Sequence, residues 1–247
     1  ASGAKGSATY VDDVFSTTLY KGDNSTQTVT TGIDVLGEGG LIWVGQRTNG
    51  GGFNLIDSAQ GSAYSLDTTS VNAPANSATQ LTFLNDGYRI NGGSTAWDLN
   101  QNNLDYVAWS WQKQPGFFDV VTYTGDGSSS QTISHNLGSV PGMIIVKQTN
   151  GTSDWVTYNS DGSIYKQMLL NSTATNNSDK NFDQIATDSI LKVGHIGGTT
   201  GVGGNGETCV AYLFAHDAQD FGTDSDEAII KCGSFTTNSS AVFYENL

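Results

Sequence analysis

The chain has 247 residues, of which 31 are glycine, 36% are hydrophobic and only 14% are charged. Its 24 acidic and 10 basic residues give a net charge of −14, which opposes binding to the phosphates of nucleic acids and to anionic lipids. No apolar run approaches the roughly 20 residues that a membrane-spanning helix needs, and no signal peptide is visible. The composition therefore predicts a globular protein that neither binds nucleic acid nor inserts into a membrane.

The first half of the chain contains short runs rich in β-branched and aromatic residues. In chain order these runs are STTLY, QTVTTG, LIWVGQ, FNLID and YVAWSW, which begin at Ser16, Gln27, Leu41, Phe53 and Tyr106. Turn clusters such as GDNS and TNGGG bound them, a pattern typical of strands rather than helices. The segment 58–80, rich in Ser, Thr and Asn, is predicted to be a long loop of the kind that carries recognition.

The second half continues in the same style. Its predicted strands are VVTYTG, QTISH, MIIVKQ, WVTYN, TCVAYLF and IIKCGSF, which begin at Val120, Gln131, Met143, Trp155, Thr208 and Ile229. The segment 160–185 is predicted to be a second long loop. Many short strands at even spacing favour a sandwich or a barrel.

Two patterns predict how the strands are buried. LIWVGQ and MIIVKQ are apolar until they end in polar residues, which is typical of a central strand covered on both faces. In YVAWSWQK, the alternation of a strand places Trp109 and Trp111 on one face and Ala108 and Ser110 on the other. We expect both tryptophans to pack in a core against a second sheet rather than to form a platform for sugars.

The two halves repeat each other. Tyr20 and Tyr123 lie 103 residues apart, each followed two positions later by a glycine. GGLIWVGQRTNG from Gly39 matches PGMIIVKQTNG from Pro141, and YVAWSW matches CVAYLF in the same order. Because order and spacing hold over several blocks, the sequence predicts a duplicated building block.

The predicted fold class is all-β, with two tandem antiparallel β-sandwich units, of jelly-roll or lectin-like type, from an internal repeat of roughly 103 residues. The predicted units are residues 1–115 and 116–220. Residues 221–247 are predicted to be either the start of a third copy, in which Phe235 takes the place of Tyr20 and Tyr123, or a closing strand. The apolar AVFY from Ala241 favours a strand that packs on the body.

Several phrases carry a resemblance to a known module. YVDDVFSTTLYKG, FFDVVTYTGDG, HNLGSVPGMIIVKQT, YVAWSW and DSDEAIIKCGSF resemble a repeated β-module in virion proteins of tailed phages, common in marine and cyanobacterial phages. The resemblance covers nearly the whole chain, and HNLGSVPGMIIVK is its most specific part. The first half departs from it, because IDVLGEGGLIWVGQ lacks the His-Asn-Leu-Gly start and the Pro-Gly of the fuller motif.

The resemblance implies a non-enzymatic structural protein of the virion, in a tail fibre, a spike or a capsid decoration, that serves assembly and host attachment. It implies assembly in the bacterial host cytoplasm, a final place in the extracellular particle, and other virion proteins and further copies of the chain as partners in a homo-oligomer. A host surface glycan is a further partner to be expected. The alternative is a carbohydrate-binding lectin or adhesin, and a depolymerising enzyme on the same scaffold is the third hypothesis.

No set of residues in the sequence has the pattern of a reaction centre. His135, His195 and His216 lie in separate segments, without the spacing of zinc ligands, and no nucleophile elbow is present. The glycine-rich GGTTGVGGNG from Gly197 lacks the lysine and the helix of a phosphate-binding loop. We therefore predict no catalytic residue, no metal site and no cofactor, and we expect His135 to have a turn or strand-end role.

Three smaller features leave alternatives open. Asp12-Asp13 and the DSDE run at 224–227 are interpreted as solvated linker charge, with calcium binding as the alternative. Cys209 is predicted to be a buried free thiol, with a single bridge to Cys232 as the alternative. Trp97, surrounded by amide side chains, is interpreted as a loop anchor, with stacking on a sugar as the alternative. Ligand-binding residues stay otherwise unassigned.

Overall fold

The computed structural model describes residues 8–48, 52–76, 80–91, 99–159, 167–173, 175–176, 186–194 and 202–233 of the chain. These residues are built almost wholly of β-strands, which confirms the predicted all-β fold class. The helix found among them, α1 (Val11–Val14), is a single turn. It is capped where the Asp13 carboxylate accepts a hydrogen bond of 2.7 Å from the Tyr10 amide.

The described strands of the first half are β1 (Phe15–Lys21), β2 (Gln27–Thr30), β3 (Gly40–Gln46), β4 (Phe53–Asp57), β5 (Tyr64–Asp67), β6 (Ala75–Asn76), β7 (Leu81–Leu84), β8 (Gly87–Ile90) and β9 (Asp105–Gln112). Those of the second half are β10 (Phe118–Thr124), β11 (Gln131–Ser134), β12 (Pro141–Gln148), β13 (Val156–Asn159), β14 (Gln167–Leu169), β15 (Thr175–Asn176), β16 (Ile190–Val193) and β17 (Thr208–Ala215).

Each half of the chain contributes one large and one small antiparallel sheet. The first main sheet has the order β1-β9-β3-β4-β5-β6, and its small sheet has the order β2-β8-β7. The second main sheet has the order β10-β17-β12-β13-β14-β15, and its small sheet pairs β11 with β16. The two main sheets therefore have the same strand order once strands are matched by their place along the chain.

Alternate residues of the central strands face two different cores. In β3, Ile42 and Val44 pack under the small sheet of their own half, whereas Leu41 faces the other main sheet. In β17, Ala211 and Tyr212 divide in the same way. The strands therefore stack in four layers, with the two main sheets face to face in the middle and a small sheet outside each.

We call the buried side chains between the main sheets the inter-sheet core. It consists of Val14, Leu41, Leu55, Leu66, Phe117, Phe118, Val120, Ile145, Trp155, Val210, Tyr212, Phe214 and Phe221. Each large apolar side chain removed from water contributes roughly 1.5–3 kcal/mol. The inter-sheet core is therefore a substantial part of what holds the molecule together.

The apolar runs behave largely as the sequence predicts. β3 and β12 are central strands, with a paired neighbour on each side and mostly buried residues on both faces. Trp109 and Trp111 lie on the face of β9 that is turned toward the second main sheet, where the Trp111 ring is 6.5 Å from that of Phe214. Both tryptophans remain half-buried rather than fully enclosed.

Other segments differ from the sequence prediction. The segment 58–80, predicted as a loop, contains β5 and β6, which are held by pairing with β4 and with each other. Residues 81–90 form an unpredicted hairpin, whose turn ends at Gly87 with a φ of +144°, a conformation that side chains rarely adopt. The segment 160–185, also predicted as a loop, contains β14 and β15 in its described part.

The C-terminal run was predicted as a strand from Ile229, but residues 229–233 contain none. Ile229, Ile230 and Cys232 instead pack against the edge of the inter-sheet core. Phe235 and the AVFY run lie outside the described residues, so the third copy and the closing strand both stay predictions.

Candidate functional site

Tyr20 and Tyr123, which match in the repeat, each connect two distant segments of their own half, and we call these two places the tyrosine corners. The Tyr20 hydroxyl donates to the Leu99 carbonyl at 2.8 Å, and the Tyr123 hydroxyl donates to the Val202 carbonyl at 2.6 Å. In each case the acceptor lies 79 residues further along the chain. Burial raises the pKa of both hydroxyls well above its ordinary value, so both stay protonated donors.

The turns next to these tyrosines also match. In the first half, Asp23 Oδ1 accepts from the Ser25 amide at 2.9 Å, and in the second half Asp126 Oδ1 accepts from the Ser128 amide at 2.8 Å. These residues, which carry the repeat in the sequence, therefore shape the turns of the fold.

A buried carboxylate joins the main sheets. Asp57, at the end of β4, is fully buried, and its Oδ2 accepts a hydrogen bond of 2.8 Å from the Tyr212 hydroxyl of β17. Gln60 donates to the same carboxylate twice, from its backbone amide at 2.8 Å and from Nε2 at 2.6 Å. Burial raises the pKa of Asp57 despite these donors, because the charged form loses its hydration.

A buried lysine and a buried tryptophan of the second half seal one end of the contact between the main sheets. The Lys147 Nζ donates to the Val71 carbonyl at 3.0 Å and to the Gln148 carbonyl at 3.1 Å. The Trp155 Nε1 donates to the Asp67 and Ser70 carbonyls at 3.3 and 3.1 Å. Burial lowers the pKa of the Lys147 ammonium to about 8. We call this contact, with residues 67–71 of the first half, the closed end.

An open groove lies between the same two sheets directly beside the closed end, with which it shares Thr68 and Thr69. It has a volume of about 540 Å³ and is lined by Trp43, Phe53, Thr68, Thr69, Leu170, Asn171, Ser172 and Thr173. Trp109 supports its floor, with ring centroids 6.2 Å from Trp43 and 6.5 Å from Phe53. The Trp43 and Phe53 rings are half-exposed, and all of these lining side chains are uncharged. We call this feature the seam groove.

The histidines occupy unrelated places. His135 is 5% exposed directly after β11, and its Nδ1 accepts from the Leu137 amide at 3.2 Å. Burial lowers its pKa, which favours the neutral ring. The His216 Nδ1 accepts from the Cys232 amide at 3.0 Å. His195 lies outside the described residues.

The remaining candidates from the sequence stand apart from one another. Cys209 and Cys232 are both free thiols, and burial raises the pKa of Cys209 to about 12. Asp12 and Asp13 belong to α1, while residues 224–227 form an exposed turn. Trp97 lies outside the described residues.

The described part of the chain lacks two kinds of feature. No three His, Cys, Asp or Glu side chains there come together in a way that would hold a metal ion. No helix there has the length and apolar character needed to cross a membrane.

Sequence reasoning did not single out Asp57, Lys147 or the seam groove. One signal for the groove was present in the repeat, where Gly45 stands 102 positions before Lys147 and Phe53 the same distance before Trp155. The smaller side chains of Gly45 and Phe53 indicate a groove only when the packing of the two sheets is known.

Comparison with known proteins gives a family. No curated protein and no solved structure matches the chain. One family model, described as a domain of unknown function (DUF7483), matches residues 11–242 and so extends from α1 across both main sheets. The chain therefore belongs to the DUF7483 family.

Proposed function

We propose that the chain is a non-enzymatic structural protein of a phage virion, part of a tail fibre, a spike or a capsid decoration, and that it serves assembly and host attachment. It is built from two tandem copies of one β-sandwich unit, residues 1–115 and 116–220, and functions as a homo-oligomer together with other virion proteins. The resemblance of HNLGSVPGMIIVK and the related phrases to virion modules supports this setting.

Matching geometry supports the duplication. The two main sheets share one strand order, and Tyr20 and Tyr123 hold their corners with hydrogen bonds of the same span. The Gln27 Nε2 donates to the Lys21 carbonyl, as the Gln131 Nε2 donates to the Thr124 carbonyl. Agreement in both topology and side-chain bonding is more than a shared fold class requires.

The inter-sheet core is the observation that carries the structural role. The second copy buries Trp155, Tyr212 and Phe118 fully against the first copy, which contributes the aliphatic side chains of Leu41 and Leu55. An interface of this apolar character resembles a domain interior rather than a mobile contact between domains. A rigid protein of this kind is suited to be a structural component of a particle.

The edge of the first main sheet supports assembly. Among the described strands, β1 has a partner on one side only, and Leu19 on this strand is 61% exposed. An edge strand with unpaired backbone groups and an apolar side chain is suited to contact with a neighbouring subunit. The net charge of −14 opposes unspecific association of the chains.

The experiment is to purify the particles by density gradient and to quantify peptides of this chain by mass spectrometry. We expect the chain in the particle fraction, at a fixed copy number relative to the other particle proteins, and we expect light scattering to show an oligomer of the isolated chain. Absence from purified particles would overturn the proposal.

A second candidate function, carbohydrate binding, is favoured by one observation. The seam groove presents the half-exposed rings of Trp43 and Phe53 beside hydroxyl and amide side chains. Such a combination of ring faces and polar groups is what recognition of a sugar requires.

A further inference from the structure

We propose that the seam groove is a binding site for a neutral saccharide, with a sugar ring stacked on Phe53 and Trp43. This inference rests on the proposed function, because it names the class of host-surface ligand that the chain would bind during attachment. The groove differs from the closed end, which is filled by larger side chains at the matching positions.

The closed end shows how the contact is filled. There the Trp155 ring is fully buried over residues 67–71 and its Nε1 is bonded to two carbonyls. The Lys147 side chain passes beside it to the Val71 carbonyl. The Trp155 ring stacks on that of Tyr212 at 6.4 Å. The polar side-chain atoms of Lys147 and Trp155 therefore have their hydrogen-bond partners within the protein.

The seam groove is the counterpart of the closed end. Phe53 stands 102 positions before Trp155, and residues 68–71 stand the same distance before 170–173, so Phe53 faces 170–173 as Trp155 faces 68–71. The Phe53 ring lies beside Trp109 at 6.5 Å, in the manner of Trp155 beside Tyr212. The two ends are therefore built from matching positions.

Two changes of residue keep the second place open. Gly45 stands where the other end has Lys147, and a Cβ at Gly45 would overlap the Phe53 ring, so Phe53 lies down over the glycine. Phenylalanine also replaces tryptophan and offers no N–H to the facing carbonyls. The smaller side chains leave about 540 Å³, within the range of roughly 300–1,000 Å³ that small-molecule sites have.

The lining selects the class of ligand. Trp43 and Phe53 offer apolar ring faces, while Thr68, Thr69 and Asn171 offer hydroxyl and amide groups with unused acceptor positions. Asn171 is held in place, because its Oδ1 accepts from the Trp155 amide at 3.0 Å and its Nδ2 donates to Asp154 at 2.9 Å. A pyranose matches this surface, since it combines an apolar face with hydroxyls around its rim.

A charged ligand does not match, because the described lining offers it no side chain of opposite charge, and the net charge of −14 further opposes an anion. A flat aromatic ligand would use the rings alone and leave the hydroxyl and amide groups without partners, which costs binding free energy.

The test is a screen of the purified full chain on an array of neutral and acidic glycans, followed by calorimetry with the best neutral oligosaccharide. Phe53→Ala removes one ring, and Thr173→Arg places a long charged side chain at the exposed rim. Each is expected to weaken binding by about tenfold, Phe53→Ala through the loss of an aromatic contact and Thr173→Arg because its side chain obstructs the rim. Val71→Arg is the matched control, because Val71 stands 102 positions before Thr173 and at the closed end. It is expected to leave affinity within about twofold.

Circular dichroism of each variant shows that the fold is retained, and the exposed position of Thr173 keeps the test valid if Phe53→Ala fails to fold. Binding of no neutral glycan at millimolar concentration, binding of acidic glycans alone, or binding unchanged by Thr173→Arg would each overturn the inference. Particles that contain the chain but bind no glycan would refute the groove and leave the structural role standing, while a glycan-binding chain absent from particles would do the reverse.

Discussion

The Tyr212 hydroxyl donates a hydrogen bond of 2.8 Å to Asp57 Oδ2, and it thereby joins two fully buried residues that lie 155 positions apart in the chain. The bond crosses from the second main sheet to the first. It brings a titratable carboxylate into the inter-sheet core, where its protonation is coupled to folding.

Asp57→Asn is expected to change how stability depends on pH. Burial raises the pKa of Asp57, so the folded protein holds this proton more tightly than the unfolded chain does. The resulting stabilisation is complete below the ordinary carboxyl pKa and is lost as the pH rises through the folded value. Urea unfolding measured from about pH 3.5 upward should therefore show that the wild type loses stability relative to Asp57→Asn as pH rises. A wild type that keeps or gains stability relative to Asp57→Asn as pH rises would contradict the prediction.

Lys147→Met is expected to reveal the opposite trend in the alkaline range. Burial lowers the pKa of Lys147 from 10.5 to about 8, so in this window the unfolded chain binds more protons than the folded protein. The wild type should gain stability relative to Lys147→Met as pH rises from 8 to 10.5, by up to about 3 kcal/mol. Denaturant unfolding at intervals of pH measures the difference. Lys21→Met, at an exposed residue of β1, is the control and should follow the wild-type profile.

Tyr20→Phe and Tyr123→Phe are expected to have similar costs. Each removes one buried hydrogen bond to a carbonyl and leaves that carbonyl without its donor, at a cost of about 1–3 kcal/mol. Because the two corners are separate and share no partner, the double variant should lose the sum of the single losses. Tyr10→Phe, at a residue that is 46% exposed, serves as the control with a small effect. A large loss of unfolding free energy in one variant and none in the other would show that the two hydrogen bonds are not equivalent.

Gly40→Ala is expected to destabilise the first main sheet by about 1–3 kcal/mol, a magnitude typical of overpacking. A Cβ at this position would collide with the Trp111 carbonyl oxygen of the neighbouring strand β9, and backbone atoms in the middle of a sheet cannot move aside. Gly52→Ala is the matched control, since its Cβ would lie 3.9 Å from the Asp67 carboxylate, in ordinary contact. Thermal unfolding of both variants tests the difference, and equal melting temperatures would contradict the close approach of β9.

Strands with a strong pattern of their own were predictable. β3 and β12 are continuous apolar runs because both of their faces are buried, and the sequence shows this directly. β5 was missed because Tyr64–Asp67 has polar residues at mixed positions and is extended through its pairing with β4. The β7-β8 hairpin has a usable signal in the sequence, the Asn-Asp-Gly turn between apolar residues.

The candidate site was harder to foresee than the fold. Asp57 ends an apparently ordinary strand, and its partner Tyr212 is brought to it by the packing of one sheet on the other. The seam groove depends on the absence of a side chain at Gly45. The sequence alone does not show which residues surround the space that this glycine leaves open. Periodicity reports which face of a strand is buried, but it does not report what lies across from it.

The inter-sheet core has a consequence for how the molecule comes apart. Unfolding of either half alone would expose to water the apolar side chains that it covers in the other half. These are Leu41 and Leu55 in the first half and Trp155 and Phe118 in the second. Heat or denaturant should therefore melt all four layers in one cooperative transition, and a chain cut near residue 115 should yield two fragments that fold only in each other's presence.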